Sequence, residues 1–254
     1  MSLIREDGVN ARHLMLDSPA LGRKVHVWCY GHFGLPVVVF PSAAGFAHEW
    51  QHQGMVDALS DLLTRGKIKL YCPESNVGEA WTAKNATIEQ KMARHAAYER
   101  FVLETLVPFV REDCRWSDAP LAASGCSVGG MYAALFALKH PETFRKALCF
   151  SGRYMSTEFT QGQQNADVYY NNPLAFVPGL EGGELERVRR NTQLTLVCGR
   201  GAFEEGCIEE TLALGRLLGR KGIPNTTDIW GLDSRHDWAW WKRQAQIHFT
   251  RSFR

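Results

Sequence analysis

The sequence has no C-x-x-C pair and no Asp-rich calcium loop. No dedicated metal site and no cofactor are expected. The seven cysteines, Cys29, Cys72, Cys114, Cys126, Cys149, Cys198 and Cys207, are odd in number and scattered singly, several inside apolar runs such as LYC and LVCG. They read as reduced core residues rather than a disulfide framework. No apolar run is long enough to span a bilayer, and the opening residues lack a basic stretch followed by an apolar one. A cytoplasmic protein with no membrane partner is expected. Neither sign of charge dominates: 29 Lys and Arg stand against 27 Asp and Glu. Without a Lys/Arg-dense stretch interleaved with aromatics, no nucleic-acid partner is expected. Repeats and low-complexity segments are also missing, which excludes solenoids and fibres.

What is present is ordinary globular composition, 45% hydrophobic and 22% charged, in a chain long enough to bury a sizeable core. Strand-like and helix-like stretches alternate from about Lys24 onward, the pattern of a mostly parallel sheet flanked by helices on both faces. KVHVWCYG alternates apolar and polar residues like a half-buried strand near the sheet edge. LPVVVFPS is a β-branched run suited to a strand covered on both sides. HEWQHQGMVDALSDLLTRG, TIEQKMARHAAYERFVLETLVPFVRED and GGMYAALFALKHP carry helical spacing, with Pro108 bending the second near its end. KIKLYCPES, LAASG, KALCFSG, LTLVCGRG and TTDIWGLDS complete the strands. One domain over residues 1–254 is expected, with an excursion of loops and short helices at about 153–190.

Within LAASGCSVGGMYAALF, a serine stands between glycines where a strand turns into a helix. A hydroxyl can stand proud of a sheet on so sharp a corner only if its neighbours are very small, as Gly125 and Gly129 are. Ser127 is the candidate nucleophile, and Cys126 beside it, expected to face the core, is a poor rival. The N–H of Val128 falls at a helix N-terminus, suited to stabilising a developing oxyanion.

Such a serine needs an imidazole, which in this order of elements comes late in the chain, after the acid. His236, in a polar loop after the last strand-like run, fits. His48, His52 and His95 precede Ser127 and remain candidates for lining the pocket. The acid belongs after LTLVCG, where GAFEEG offers Glu204, with Glu205 as the alternative. Asp237 is read as a helix cap. A second oxyanion donor is expected in the loop FPSAAG, from the N–H of Ala43 or, failing that, Ala44.

With these residues in place, the chain resembles the Putative esterase family of α/β-hydrolases, which includes esterase D-like proteins. The blocks SGCSVGGMYAALFALKHPETF and HDWAWWKRQ carry the likeness most specifically, with VVVFPSAAGFAHEWQHQGMVDAL and ARHAAYERFVLETLVPFV beside them. Pro41-Ser42 stands where that family usually has His-Gly, and a Glu stands where many members have Asp. The resemblance implies an α/β-hydrolase fold, Ser127 as nucleophile, His236 as base and Glu204 at the acid position.

The expected activity is hydrolysis of a small-molecule carboxylic ester through an acyl-enzyme. An acyltransferase with the same residues and a catalytically idle binding protein are the alternatives. Trp81, Arg153, Tyr154 and Trp238 are candidates for the substrate pocket, with Tyr169 and Tyr170 nearby. The sequence leaves open the oligomeric state, including a homo-oligomer.

Overall fold

The computed structural model describes residues 2–4 and 8–254. The opening stretch, expected to lack an export signal, includes residues 1 and 5–7, which lie outside the described residues. Among the described residues nine strands form one sheet: β1 Ser2–Ile4, β2 Asn10–Ser18, β3 Arg23–Tyr30, β4 Leu35–Phe40, β5 Ile68–Pro73, β6 Leu121–Cys126, β7 Phe144–Phe150, β8 Gln193–Cys198 and β9 Asn225–Ile229. Their spatial order is β1-β2-β3-β5-β4-β6-β7-β8-β9. From β5 to β9 every pairing is parallel, whereas β1, β2 and β3 join antiparallel. The strand order reverses at β4, the topological switch where α/β sheets open a crevice at their carboxyl edge.

The expected central strands follow from their residues. β4 and β6 are buried almost throughout, because helices cover both faces of a parallel sheet and leave no face for polar alternation. β3 alternates in burial as its sequence does, although β1 and β2 lie outside it. The strand Asn10–Ser18 has no clear period in NARHLMLDS, since only Ala11 and Ser18 are buried along it. Its pairing to β3 over eight residues, not its own pattern, defines it.

One core packs the helices Ile88–Phe101 and Val128–Lys139 on Val25, Val27, Val38 and Phe40. The other packs Trp50, Met55 and the C-terminal helix Trp238–Ser252 on Val37, Val39 and Leu70. The expected helix after β4 is instead three short ones, Glu49–His52, Met55–Ala58 and Ser60–Thr64, interrupted where Gly54 takes φ +73°. The long helix does not break at Pro108. A π-helical turn at Val102–Leu106 precedes that residue and absorbs its missing N–H. Between β7 and β8 run short helices at Thr157–Thr160, Ala166–Tyr170 and Pro173–Phe176, then a longer one at Gly182–Asn191. No helix among the described residues is long and apolar enough to cross a membrane.

Candidate active site

At the corner between β6 and its helix, Ser127 takes φ 55° and ψ −123°, a conformation foreign to most L-residues. It is over-determined by its surroundings: Ser127 N donates to Phe150 O at 2.8 Å, and Ser127 O accepts from Gly130 N at 2.9 Å. A Cβ on Gly125 would lie 2.4 Å from the Gly129 backbone, and one on Gly129 would lie 2.2 Å from Phe40 O. The two glycines thus let the helix start press against the end of β4. The loop that follows β4 is thereby brought beside Val128.

That loop is held from both sides. Ser42 donates through its N–H and its hydroxyl to the two oxygens of Glu49, each at 2.8 Å, while Ser75 Oγ donates to Ala43 O at 2.8 Å. Burial pushes the Glu49 carboxyl up against the two Ser42 bonds that pull it down. Ala43 sits at φ 47°. Among the described residues, the N–H groups of Ala43, Ala44 and Val128 donate to no protein acceptor, so they are available to an oxygen anion. Glu49 and Ser75, which fix this loop, are absent from the sequence reading because they belong to other elements.

The imidazole of His236 reaches both neighbours: Nε2 lies 3.0 Å from Ser127 Oγ and Nδ1 lies 3.1 Å from Glu204 Oε2. Glu204 is 1% exposed and Glu205 is exposed to solvent, so the first of the doubled acids meets the histidine. Burial raises the Glu204 carboxyl, but hydrogen bonds from His236, Ser151 and Cys198 outweigh it and hold the group below the usual carboxylate range. Ser151, at φ 47°, donates to Glu204 Oε1 at 2.6 Å and accepts from Trp241 Nε1 at 3.0 Å. The same indole meets the His236 ring edge-on at 4.8 Å. Backbone bonds lock the two loops together: Arg200 N to Gly231 O, Gly201 N to Ser234 O and His236 N to Ala202 O.

The other expected residues fall in two groups. Trp238 is half-buried and packs edge-on against Trp241. Arg153 is held by Glu158 and Glu210, at 2.5 and 3.1 Å, so its charge is already paired. Trp81 and Tyr154 are 1% and 0% exposed, so they are core aromatics and offer no open surface. Trp81 packs between His95 and Phe159. Tyr169 and Tyr170 border a different cavity, with His140 and Arg187. His48 and His52 are exposed, while His95 is buried between Tyr132 and Asn171, and none of them bonds to Ser127. Cys126 is fully buried and its thiol is pushed far up by that burial. Asp237 caps the last helix through Trp240 N at 3.1 Å. A cavity of about 910 Å³ lies at the opposite edge of the sheet, lined by Lys67, Lys146 and Phe253, remote from Ser127.

Strand order, sharp serine corner and late histidine together define an α/β-hydrolase of the serine esterase class. The chain belongs to the Putative esterase family, whose profile matches residues 18–251. A ferulic acid esterase is similar in structure, with a TM-score of 0.76 and 16% identity over 96% of this chain and 98% of that one. An S-formylglutathione hydrolase from Agrobacterium tumefaciens gives 0.76 and 16% over 99% and 96%. One from Staphylococcus aureus gives 0.74 and 15% over 98% of both chains. No curated protein matches the sequence.

Proposed function

We propose that the protein hydrolyses carboxylic esters through an acyl-enzyme on Ser127, with His236 as general base and Glu204 as its orienting acid. One observation carries this reading: the unbroken hydrogen-bonded series from Ser127 Oγ through both nitrogens of His236 to a buried carboxylate. His236 Nε2 takes the Ser127 proton as Oγ attacks the ester carbonyl. Glu204 keeps the other proton on Nδ1 and stabilises the imidazolium that forms. The N–H groups of Val128 and Ala43 hold the oxyanion, the nascent alcohol leaves with the proton from Nε2, and water then releases the acid by the same steps. Half-exposure of Ser127 and His236 gives water a route to the acyl group, which favours hydrolysis over transfer.

Phe46, Phe203 and Leu232 are strongly exposed on the loops that carry Ala43, Glu204 and His236. Their presence at the rim supports an ester with an apolar group on one side. The free cysteines support a reducing compartment such as the cytoplasm. The reading is tested with p-nitrophenyl acetate and a fluorophosphonate probe. Ser127→Ala is expected to lose at least about a thousandfold in kcat and all labelling; full activity in that variant overturns the assignment. Ferulate esters and S-formylglutathione enter the substrate screen because structural neighbours are named for them.

A further inference from the structure

Beside the His236–Glu204 contact lies a side chain the esterase chemistry does not use. Cys207 Sγ is 3.8 Å from His236 Nδ1, and Nδ1 is 3.1 Å from Glu204 Oε2. One ligand atom from each of the three residues lies within 4.8 Å of the others. A zinc ion with ordinary bonds, about 2.0 Å to nitrogen or oxygen and about 2.3 Å to sulfur, places tetrahedral ligands about 3.3–3.6 Å apart. The nitrogen's distances to sulfur and oxygen therefore need to change by only a few tenths of an ångström. Cys207 opens the helix Cys207–Arg220, whose N-terminal dipole favours a thiolate once a cation arrives. Until then burial, reinforced by Glu204, pushes the thiol up to about 12 and keeps it protonated.

We propose that Cys207, Glu204 and His236 form a binding site for a thiophilic divalent cation such as zinc, and that its occupancy switches the esterase off. This rests on the reading of His236 as the base. The ion binds Cys207 as thiolate, and the thiol proton leaves to solvent. On the neutral imidazole the ion takes the lone pair of Nδ1, so the ring's proton must sit on Nε2. Nε2 then donates to Ser127 Oγ instead of accepting from it, and the hydroxyl cannot be deprotonated. Inhibition needs no blockage of the substrate's path, because the ion acts from behind the ring. The residues come from the loops after β8 and β9 and from a helix start, which is why no short-spaced motif announces them.

Two measurements test the site. In a metal-buffered p-nitrophenyl acetate assay, zinc is expected to inhibit the wild-type enzyme. Cys207→Ala and Cys207→Ser keep basal turnover and need at least about tenfold more free zinc for the same inhibition. Cys114→Ala, which removes a partly exposed thiol elsewhere, stays as sensitive as wild type. Independently of turnover, cobalt(II) added to the full-length protein should give a thiolate-to-cobalt charge-transfer band that Cys207→Ala lacks. Equal zinc sensitivity in wild type and Cys207→Ala, or no such band in wild type, overturns the proposal. A cobalt band in a protein without esterase activity upholds the metal site and removes the catalytic reading instead.

Discussion

Ser151 and Glu204 are joined by a 2.6 Å hydrogen bond from hydroxyl to carboxylate, in a place where neither side chain reaches water. The bond fixes Glu204 Oε1 so that Oε2 is left to His236. Because Trp241 supplies Ser151 with its own donor, the hydroxyl proton is committed to the carboxylate. In the proposed mechanism Ser151 is thus a positioning residue. Ser151→Ala is expected to lower kcat about tenfold with little change in KM. With one of the donors that hold it low gone, the Glu204 carboxyl moves back up toward the usual carboxylate range, so the acid limb of the kcat/KM profile moves to higher pH. A parallel loss in KM, with the pH limb unmoved, would make the role merely structural.

The doubled acid separates cleanly by burial. Glu204→Gln is expected to cut kcat by about 10³–10⁴, since the amide can no longer hold the required tautomer. Glu205→Gln should leave kcat within about twofold, as an exposed substitution away from the hydrogen-bonded series. Steady-state assays of the two purified variants decide between them, and the reverse order of effects would move the acid to Glu205.

The glycine corner is also a stability element. Gly129→Ala would drive a methyl into the Phe40 and Pro41 carbonyls, backbone atoms that cannot rotate away. A loss of more than about 3 kcal/mol is expected, read as a lower urea midpoint or as failure to accumulate folded protein. Gly183→Ala, where a Cβ meets nothing within 4 Å, is the matched control and should melt like wild type.

Acid sensitivity should come from the buried His95. Burial lowers its value to about 4 from the usual ~6.5 of an unfolded chain. The folded state holds the neutral ring, so its contribution is intact above about pH 6.5. It fades as pH falls toward about 4, by on the order of 3 kcal/mol. His95→Gln removes the titrating ring, so urea midpoints for this variant should change less across that interval than those of wild type. Identical slopes would assign the acid sensitivity elsewhere.

Much of this architecture is legible in the residues, and the gaps have physical causes. β4, β6 and the serine corner are recognisable because β-branched runs and closely spaced glycines have few other uses. The late histidine and the Glu204–Glu205 pair follow from element order, though only burial separates the two acids. Trp81 and Tyr154 look like rim aromatics but sit in the core, because composition does not distinguish a ring that covers ligand from one that covers other rings. Asn10–Ser18 is invisible since its burial is imposed by β3. Ser151, Trp241 and Cys207 escape notice for a related reason: their roles exist only as contacts between distant loops.

The backbone bonds that clasp residues 200–202 to residues 231–236 make the imidazole and its carboxylate a single preassembled cartridge. Remodelling at the mouth can therefore be confined to exposed rim side chains such as Phe46 and Leu232, where new groups would alter which molecules enter while the proposed route of the proton keeps its main-chain frame.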